Sequence, residues 1–585
     1  MTTMKKKLSA LLLASIMVIS LFAAGCETDE AAVPAGNESG LGEIRFAWTG
    51  DTTTLNTHAT VGTIVADIHA WVNSGLYRRV PTEDGLASQI IGDIASGPPV
   101  NVDADGVVWH IPIRPYARFH NGTPINAHTF EQSWKFLLDP VLLNPMANFL
   151  YGITIEILNG REYFLGEVTD WDEVGVRAYD DHTLEIITTR PFRADQVMAT
   201  FLDRSLMPVY VEWYEAGMGS DRSTTTWGST LDNWMGAGPY FHETWVPDAV
   251  HVFRKNHDHW LSHIFHYETV TVRIVPDPTA RLQLFENGEI DTLTLTAAQF
   301  PQFADDPRLR FLSGVMPTHI DINTLNDDQP ILQNINFRRA LYWAIDRVTI
   351  ANITNQVPAA TYIGWEAGAF FGDGTLFRTM PEGIANVPPN YGFDPALARQ
   401  YFDRAMAEEG LDFVSIEMLF SDGADNARLA AEFMEQAFPE IFGADRFELV
   451  LRAAPAAGIG AMRNWRINLD WEITISAWGT AAQRNFPHQA FTHMILETSR
   501  PNTLMPDRFL ERWQVAQEMT GHIPLDYQGL IEMAAELEAL WNYYVMNIPL
   551  WFGVTYSLHS ERLQVGMRQF VPAIGWGVMF GRIVE

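Results

Sequence analysis

Six histidines lie close together in the sequence, and imidazole is the side chain that most often binds transition metals. Two of them, His257 and His259, could reach one metal ion if their segment formed a strand. The full set is His242, His251, His257, His259, His263 and His266. We favour structural roles for these histidines over a metal site. We predict no metal site and no cofactor.

The sequence lacks the residue patterns that mark common hydrolases and nucleotide-binding proteins. Gly-x-Ser-x-Gly, His-Glu-x-x-His and the phosphate-binding Gly-x-x-x-x-Gly-Lys are absent. The acidic residues Asp277, Glu289 and Asp291 stand near predicted turns, where capping of backbone N–H groups explains them. We therefore predict that the chain is not an enzyme.

The single cysteine, Cys26, closes an N-terminal segment with the layout of a secretion signal. Three lysines precede an uncharged apolar run, and small residues stand directly before the cysteine. This layout resembles the bacterial lipobox, in which the cysteine is lipidated and becomes the first mature residue. We predict a signal peptide at 1–25 and lipidation at Cys26. An ordinary secretory signal, or a buried cysteine without a role, is the alternative.

Composition limits the partners of the mature chain. The full sequence has 71 acidic and 39 basic residues and a net charge of −32, and loss of the three signal lysines leaves 36 basic residues and a charge of about −35. Such a charge repels nucleic acid and anionic lipid headgroups. Residues 26–43 are small, polar and acidic, and they predict a flexible tether. After the signal, no uncharged apolar run is long enough to span a membrane. We expect an extracytoplasmic protein, in a periplasm or on the outer face of the membrane, held only by its N-terminal lipid.

Strand and helix patterns are mixed along the rest of the chain, which favours an α/β or mixed α+β fold. The clearest helix signal is an acidic residue, a proline and a terminal glycine at Asp394, Pro395 and Gly410. Strand patterns occur at 43–48, 107–114 and 181–188, and helical patterns at 67–76, 126–138, 337–353, 394–410 and 527–547.

Five segments in order resemble the extracytoplasmic solute-binding proteins of ABC importers, family 5, the peptide/nickel-binding class. They lie at 109–134, 236–260, 284–291, 322–324 and 337–347, and the first contains Phe-His-Asn-Gly-Thr-Pro. The likeness is closest to the oligopeptide-binding members, through Leu-Asn-Thr-His at 55–58 and Gly-Val-Arg-Ala-Tyr-Asp-Asp-His-Thr-Leu-Glu at 175–185. The resemblance implies a periplasmic-binding-protein fold of type II in its large three-domain form. Two lobes then close on a central cleft, where an extended peptide pairs with strand edges.

The resemblance also assigns the lobes. Domain I of lobe 1 comprises 44–92, 205–312 and 545–585, and domain II of the same lobe comprises 93–204. Lobe 2 is domain III, at 313–544.

Two segments carry the ligand site that the resemblance implies. They are Val61, Gly62 and Thr63 in lobe 1, and Trp478, Gly479, Thr480, Ala481 and Gln483 in lobe 2. Peptide binders of the class carry an aspartate three residues after the tryptophan, where it pairs with the α-amino group of the peptide. Ala481 stands at that position, and no acidic residue occurs between Trp478 and Pro487. Since a buried ammonium without a counter-charge is costly, either another acid reaches the cleft or the ligand has no free amino end there.

The function implied is capture of oligopeptides or similar solutes outside the cytoplasmic membrane and delivery to an ABC permease. The ATPase is then a separate subunit, and we expect a monomer with no nucleic-acid partner. A binder of a non-peptide solute such as a sugar or metal, and a peptide-sensing lipoprotein without transport, remain open. An exported hydrolase is a third alternative.

Overall fold

A computed structural model gives the structure of the chain. It describes residues 42–59, 63–152, 155–364, 377–455, 459, 471–477, 486–495, 505–522, 524–571 and 574–584.

Strands and helices are mixed along this part of the chain. The strands are β1 (Glu43–Trp48), β2 (Tyr77–Pro81), β3 (Ser88–Gly92), β4 (Val100–Asn101), β5 (Val108–Pro112), β6 (Val176–Asp180), β7 (Thr183–Ile187), β8 (Tyr240–Val246), β9 (Val250–Lys255), β10 (Thr269–Ile274), β11 (Thr292–Thr294), β12 (Leu309–Ile322), β13 (Val357–Pro358), β14 (Val414–Ser421), β15 (Phe447–Ala454), β16 (Ile473–Ala477), β17 (Ile548–His559), β18 (Leu563–Gln564) and β19 (Arg582–Ile583). The α-helices are α1 (Thr63–Val72), α2 (Ala127–Leu137), α3 (Gly160–Phe164), α4 (Ala194–Thr200), α5 (Val211–Ala216), α6 (Pro278–Glu286), α7 (Phe300–Phe303), α8 (Ile335–Ala344), α9 (Arg347–Thr354), α10 (Pro381–Ala385), α11 (Pro395–Glu409), α12 (Asp425–Phe442), α13 (Thr492–Ile495), α14 (Asp507–Met519) and α15 (Tyr527–Tyr544).

Three larger sheets organise these strands. The first has the order β1-β10-β9-β8, with β1 and β10 parallel. The second has the order β4-β5-β7-β6 and is antiparallel. The third has the order β11-β17-β12-β16-β14-β15, with β13 also paired to β17 and with β14 parallel to both of its neighbours. Mixed sheets combined with many helices confirm the predicted mixed α/β class.

Each larger sheet packs into its own hydrophobic core. Ile44, Trp71 and Phe253 belong to the core at the first sheet. Trp109 and Trp134 belong to the core between the second sheet and α2. The third sheet buries α8, α11 and α12, whose core members include Phe337, Phe402 and Met434. Separate cores are what separate domains require, although the boundaries between the lobes stay predictions.

The capping signals in the sequence fix several helix ends. The Asp394 side chain accepts a hydrogen bond from Leu397 N at the start of α11, and Gly410 ends the helix with φ +67°. Asn126 and Thr129 form a capping box at the start of α2. The helices predicted at 394–410 and 126–138 are therefore confirmed to within a residue.

Two helix predictions need correction. The helix predicted at 337–353 is two helices, α8 and α9, because Ile345 is extended and the Asp346 side chain accepts a hydrogen bond from Thr349 N at 3.0 Å. The helix predicted at 67–76 is α1, which begins and ends about a turn earlier. Its end is set by Asn73, whose side-chain oxygen accepts a hydrogen bond from Ser74 N at 3.0 Å.

The end of α1 is held against a glycine-rich turn. Gly238 N donates a hydrogen bond to Val72 O at 3.0 Å, and a Cβ atom at Gly238 would overlap Asn73 N and Val72 C. A Cβ atom at Gly236 would likewise overlap Val72 O. The segment 236–240, Gly-Ala-Gly-Pro-Tyr, is thus a packing motif. Only glycine at 236 and 238 lets its backbone approach the end of α1 this closely.

Replacing Gly238 by alanine is expected to lower the free energy of unfolding by about 1–3 kcal/mol, the usual cost of overpacking against a backbone that cannot move away. Chemical denaturation followed by tryptophan fluorescence measures this change. Gly553 is the matched control, because a Cβ atom there meets nothing within 4 Å. Equal destabilisation by the two alanine substitutions would show that the contact with α1 is unimportant.

Candidate ligand-binding cleft

A cleft of about 620 Å³ lies where four remote parts of the chain meet. One wall is formed by α1 and β2, and another by α4 with the turn that follows it. The remaining walls come from the start of the segment 486–495 and from a loop near the C-terminus. Residues that line the cleft include Ala66, Asp67, Ala70, Tyr77, Arg78, Arg79, Phe149, Gln196, Thr200, Asp203, Arg204, Met207, Phe486, Gln489, Gly577 and Phe580. We call this volume the cleft.

Helix α1 presents two different faces. Ile68, Trp71 and Val72 are buried in the core at the first sheet, and the His69 ring nitrogen Nε2 lies 2.8 Å from Leu55 O. Positions 66, 67 and 70 fall on the opposite side of the helix and line the cleft. The apolar face of α1 therefore fixes which of its residues a ligand can contact.

Arg78 fastens strand β2 to the end of α1. Its guanidinium donates to Asp93 at 2.8 Å, to Asn73 O at 2.8 Å and to Ala70 O at 3.1 Å. Asp93 is fully buried and also accepts a hydrogen bond from Trp260 Nε1 at 2.9 Å. A cation at the carbonyl end of a helix is electrostatically favourable, so this wall is held in one arrangement.

Contacts beside α4 join parts of the chain that the sequence assigns to different lobes. Arg190 Nη1 donates to Gln517 O at 2.9 Å, and Arg193 Nη1 donates to Thr520 O at 3.3 Å. The Arg193 guanidinium also lies 6.0 Å from the centre of the Phe486 ring. Since α4 and Phe486 both line the cleft, these contacts lie at its edge.

The ligand-binding residues expected from the sequence fall mostly outside the described residues. Val61, Gly62 and the whole segment from Trp478 to Gln483, including Gly479, Thr480 and Ala481, lie outside them, as does Cys26. Thr63 is the first residue of α1. The described residues that follow the two expected segments, namely α1 and Phe486 with Gln489, do meet in the cleft. The individual contacts expected of the eight residues stay predictions.

Sequence reasoning missed the charged residues of the cleft. Asp67 is exposed inside it, on a helix that is otherwise almost wholly apolar. Surrounding protein raises the pKa of Asp67 to about 6, and the Arg204 guanidinium opposes this shift. The sequence did contain a signal for this residue, namely an aspartate within the otherwise apolar segment 63–72. A charged side chain in such a helix indicates a position that faces solvent or a ligand.

The six clustered histidines do not form one group in the described structure. The His251 ring lies 2.8 Å from Asp51 and 3.1 Å from the His242 ring. His259 instead faces Ser74 at 3.1 Å, and His257 faces Glu268 at 2.9 Å on the surface. Within the described ranges, no group of three or more His, Cys, Asp or Glu side chains is arranged to hold a metal ion.

The acidic residues near turns have structural partners. Asp277 caps α6 through Ala280 N at 2.7 Å, and Glu289 pairs with Arg273 at 2.8 Å. Asp291 is fully buried and accepts hydrogen bonds from Arg562. No helix in the described part of the chain is long and apolar enough to cross a membrane.

Comparison with known proteins identifies the family. A family model described as bacterial extracellular solute-binding proteins, family 5 Middle, matches residues 89–501. The dipeptide-binding protein DppE of Bacillus subtilis is 25% identical over 442 residues, which cover 74% of this chain and 71% of that protein. The oligopeptide-binding protein OppA of the same organism is 23% identical over 60% of each chain.

A solved structure gives the same fold. The structure of Listeria monocytogenes OppA bound to peptide superposes with a TM-score of 0.76 at 18% identity, over 93% of this chain and all of that one. The predicted type II binding-protein fold is thus confirmed. The chain belongs to the bacterial extracellular solute-binding proteins, family 5.

Proposed function

We propose that this protein captures oligopeptides, or closely similar solutes, outside the cytoplasmic membrane and delivers them to an ABC permease. The observation that carries the proposal is the cleft, in which α1, α4, Phe486 and the C-terminal loop share one volume. In a chain of this family, a cleft whose walls come from both predicted lobes is the natural place for the solute.

The lining of the cleft suits a peptide. Aromatic and aliphatic surface from Tyr77, Phe149 and Met207 can accept varied side chains, and Gln196 and Gln489 can hydrogen-bond amide groups. Its volume of about 620 Å³ is in the range of small-ligand sites. The relatives named for dipeptide and oligopeptide binding, and the solved relative with bound peptide, support the same ligand class.

Closure of the lobes accounts for capture and release. The contacts of Arg190 and Arg193 with the carbonyls of Gln517 and Thr520 hold the cleft edges together in this arrangement. A bound solute that contacts both walls favours the closed form, since it binds that form more tightly. The closed protein docks on the permease, ATP hydrolysis in the partner subunit reopens it, and a lipid on Cys26 keeps it near the membrane.

Ala481 is the reason to test the ligand class directly. Peptide binders of the class carry at this position an aspartate that pairs with the α-amino group of the peptide, and here the residue is alanine. A solute without a free amino end is therefore the second candidate. The experiment is to purify the full chain from its own cells without added ligand, unfold it, and identify the released molecules by mass spectrometry.

A mixture of short peptides is the result we expect. A single sugar or a metal ion, in stoichiometric amount, would contradict peptide capture. The intact mass of the same preparation reports whether Cys26 carries lipid, since cleavage before the cysteine and acylation change the mass in opposite directions.

A further inference from the structure

Asp67 occupies the most accessible position of α1 within the cleft. Its neighbours on the same helix face, Ala66 and Ala70, are small, so nothing on α1 shields the carboxylate from a ligand. The buried face of the helix, with Ile68 and Val72 fully enclosed, prevents the helix from rotating Asp67 out of the cleft. The packing of α1 thus holds the Asp67 carboxylate at a fixed position on the cleft wall.

The other acids near this wall already have partners. The Asp203 carboxylate accepts hydrogen bonds from Ser205 N at 2.9 Å and Ser205 Oγ at 2.6 Å. Asp93 is held by Arg78 at 2.8 Å. The Asp67 carboxylate, in contrast, accepts no hydrogen bond from the residues that the structure describes, and its charge interacts at longer range with Arg204.

The Asp67 side chain is open to the cleft, but the surrounding cleft walls replace part of its water and no hydrogen bond from the described residues stabilises its charged form. This is the physical cause of the raised pKa of Asp67, about 6, which persists although Arg204 acts in the opposite direction. A cationic group entering the cleft would restore the missing stabilisation, because a charge-assisted hydrogen bond is short and strong in a confined site.

We propose that Asp67 is the residue of the cleft that recognises a cationic nitrogen of the ligand, an ammonium or guanidinium group. The proposal rests on the proposed peptide function, and it names the charge that such a ligand must present at α1. The cationic group can come from a free amino terminus or from a lysine or arginine side chain, since both offer the same N–H donors.

A purely structural role for Asp67 makes a different prediction. If Asp67 served only to balance Arg204, its replacement would change stability and leave ligand preference unaltered. The charged groups around it that bear on pH dependence are Arg204 and Asp203 after α4, with Arg78 and Arg79 on β2. The two β2 arginines already donate to protein acceptors, Arg78 to Asp93 and Arg79 to Ser88.

The test is competitive capture from three peptide pools of matched random sequence. The first pool has free amino termini and no Lys, Arg or His, and the second is the same pool with acetylated termini. The third is acetylated but contains one lysine in each peptide. The full chain is equilibrated with all three pools, separated from unbound peptide, and the bound peptides are counted by mass spectrometry.

The wild-type protein is expected to enrich the first or third pool over the second by about 10-fold or more, the value of a charge-assisted hydrogen bond. Enrichment of the first pool assigns the α-ammonium, and enrichment of the third assigns a side chain. Asp67→Asn should abolish the preference while still binding peptides, and Asp67→Glu should retain part of it. Asp258→Asn, which removes an exposed charge from a turn, should behave like wild type.

The preference should also depend on pH. Lowering the pH from about 7.5 to about 5 protonates Asp67, whose pKa is about 6, while the peptide amine stays charged. The preference for cationic pools is therefore expected to fall over this interval in the wild type and to be absent at both values in Asp67→Asn.

Two outcomes would overturn the inference. Equal capture of all three pools by the wild type, or an undiminished preference in Asp67→Asn, leaves peptide binding intact and removes the role of Asp67. Capture of none of the pools contradicts the proposed peptide function itself and the inference with it, so the two failures are distinguishable.

Discussion

Replacing Glu538 by alanine is expected to lower the free energy of unfolding by about 3–5 kcal/mol, the usual cost of removing one partner of a buried ion pair. Glu538 lies on α15 and is fully buried, and its Oε1 pairs with Arg378, which is also buried. The same oxygen accepts a hydrogen bond from Ile363 N at 3.0 Å. The substitution leaves the buried Arg378 guanidinium without its counter-charge. Its remaining hydrogen-bond acceptors include Ile363 O at 3.0 Å and Gly383 O.

Glu536 provides the matched control, two residues away on the same helix. It pairs with Arg512 at 3.0 Å, and both side chains are about one-third exposed. Glu536→Ala is therefore expected to cost no more than about 1 kcal/mol. Denaturation midpoints of the two variants and the wild type give the comparison. A similar small loss for both variants would show that burial of the Arg378–Glu538 pair does not govern its contribution.

Replacing Asp291 by alanine is expected to cost about 2–4 kcal/mol, because its buried carboxylate joins the two ends of the described chain. Its oxygens accept hydrogen bonds from Arg45 N at 2.9 Å, Ser560 Oγ at 3.0 Å and Arg562 Nε at 2.6 Å. Arg562 also donates to Glu43 O at 2.6 Å. Without the carboxylate, the contact between strand β1 and the segment after β17 loses its common acceptor.

The neighbouring Glu289 is the control that distinguishes the loss of a buried carboxylate from the loss of an exposed one. It belongs to the same turn but pairs with Arg273 on the surface, where both side chains are about 40% exposed. Glu289→Ala is expected to change the free energy of unfolding by less than about 1 kcal/mol. Thermal denaturation of both variants measures the difference. An Asp291→Ala protein as stable as Glu289→Ala would refute the account of this junction.

Local structure could be predicted well wherever a short-range cause was present in the sequence. The ends of α11 follow from Asp394 and Gly410, whose effects act within a few residues. The break between α8 and α9 was missed although Asp346 is a good N-cap, because the apolar spacing from 337 to 353 looked continuous. An N-cap residue inside a periodic segment therefore marks a helix boundary even where the apolar spacing continues across it.

The glycine motif shows what the sequence could not explain by itself. Gly-Ala-Gly-Pro-Tyr was one of the segments that carried the family resemblance, but its physical reason is the approach of Gly238 to the end of α1. Residues 72 and 238 are far apart in the chain, so no local rule connects them. The resemblance gave the fold, and the structure supplied the cause of the pattern.

The cleft was the hardest part to predict, because it depends on contacts between remote segments. Asp67, Arg204 and Phe486 share one volume only after three parts of the chain have packed together. The segments named from the resemblance were adjacent to this volume, at α1 and at Phe486. The charged residues of the walls were not found, since a lone aspartate in a sequence has no sign of what will lie across from it.

Filling the cleft is the most direct test of the claim that solute binds there. Ala66 lines the cleft on α1, so Ala66→Trp places a large side chain in the volume without disturbing the buried face of the helix. Ala216→Trp, at an exposed site on α5, is the control. Native mass spectrometry of the full chain, mixed with random short peptides, should show peptide adducts on the wild type and on Ala216→Trp but none on a folded Ala66→Trp. Peptide adducts on Ala66→Trp at the wild-type level would contradict the account.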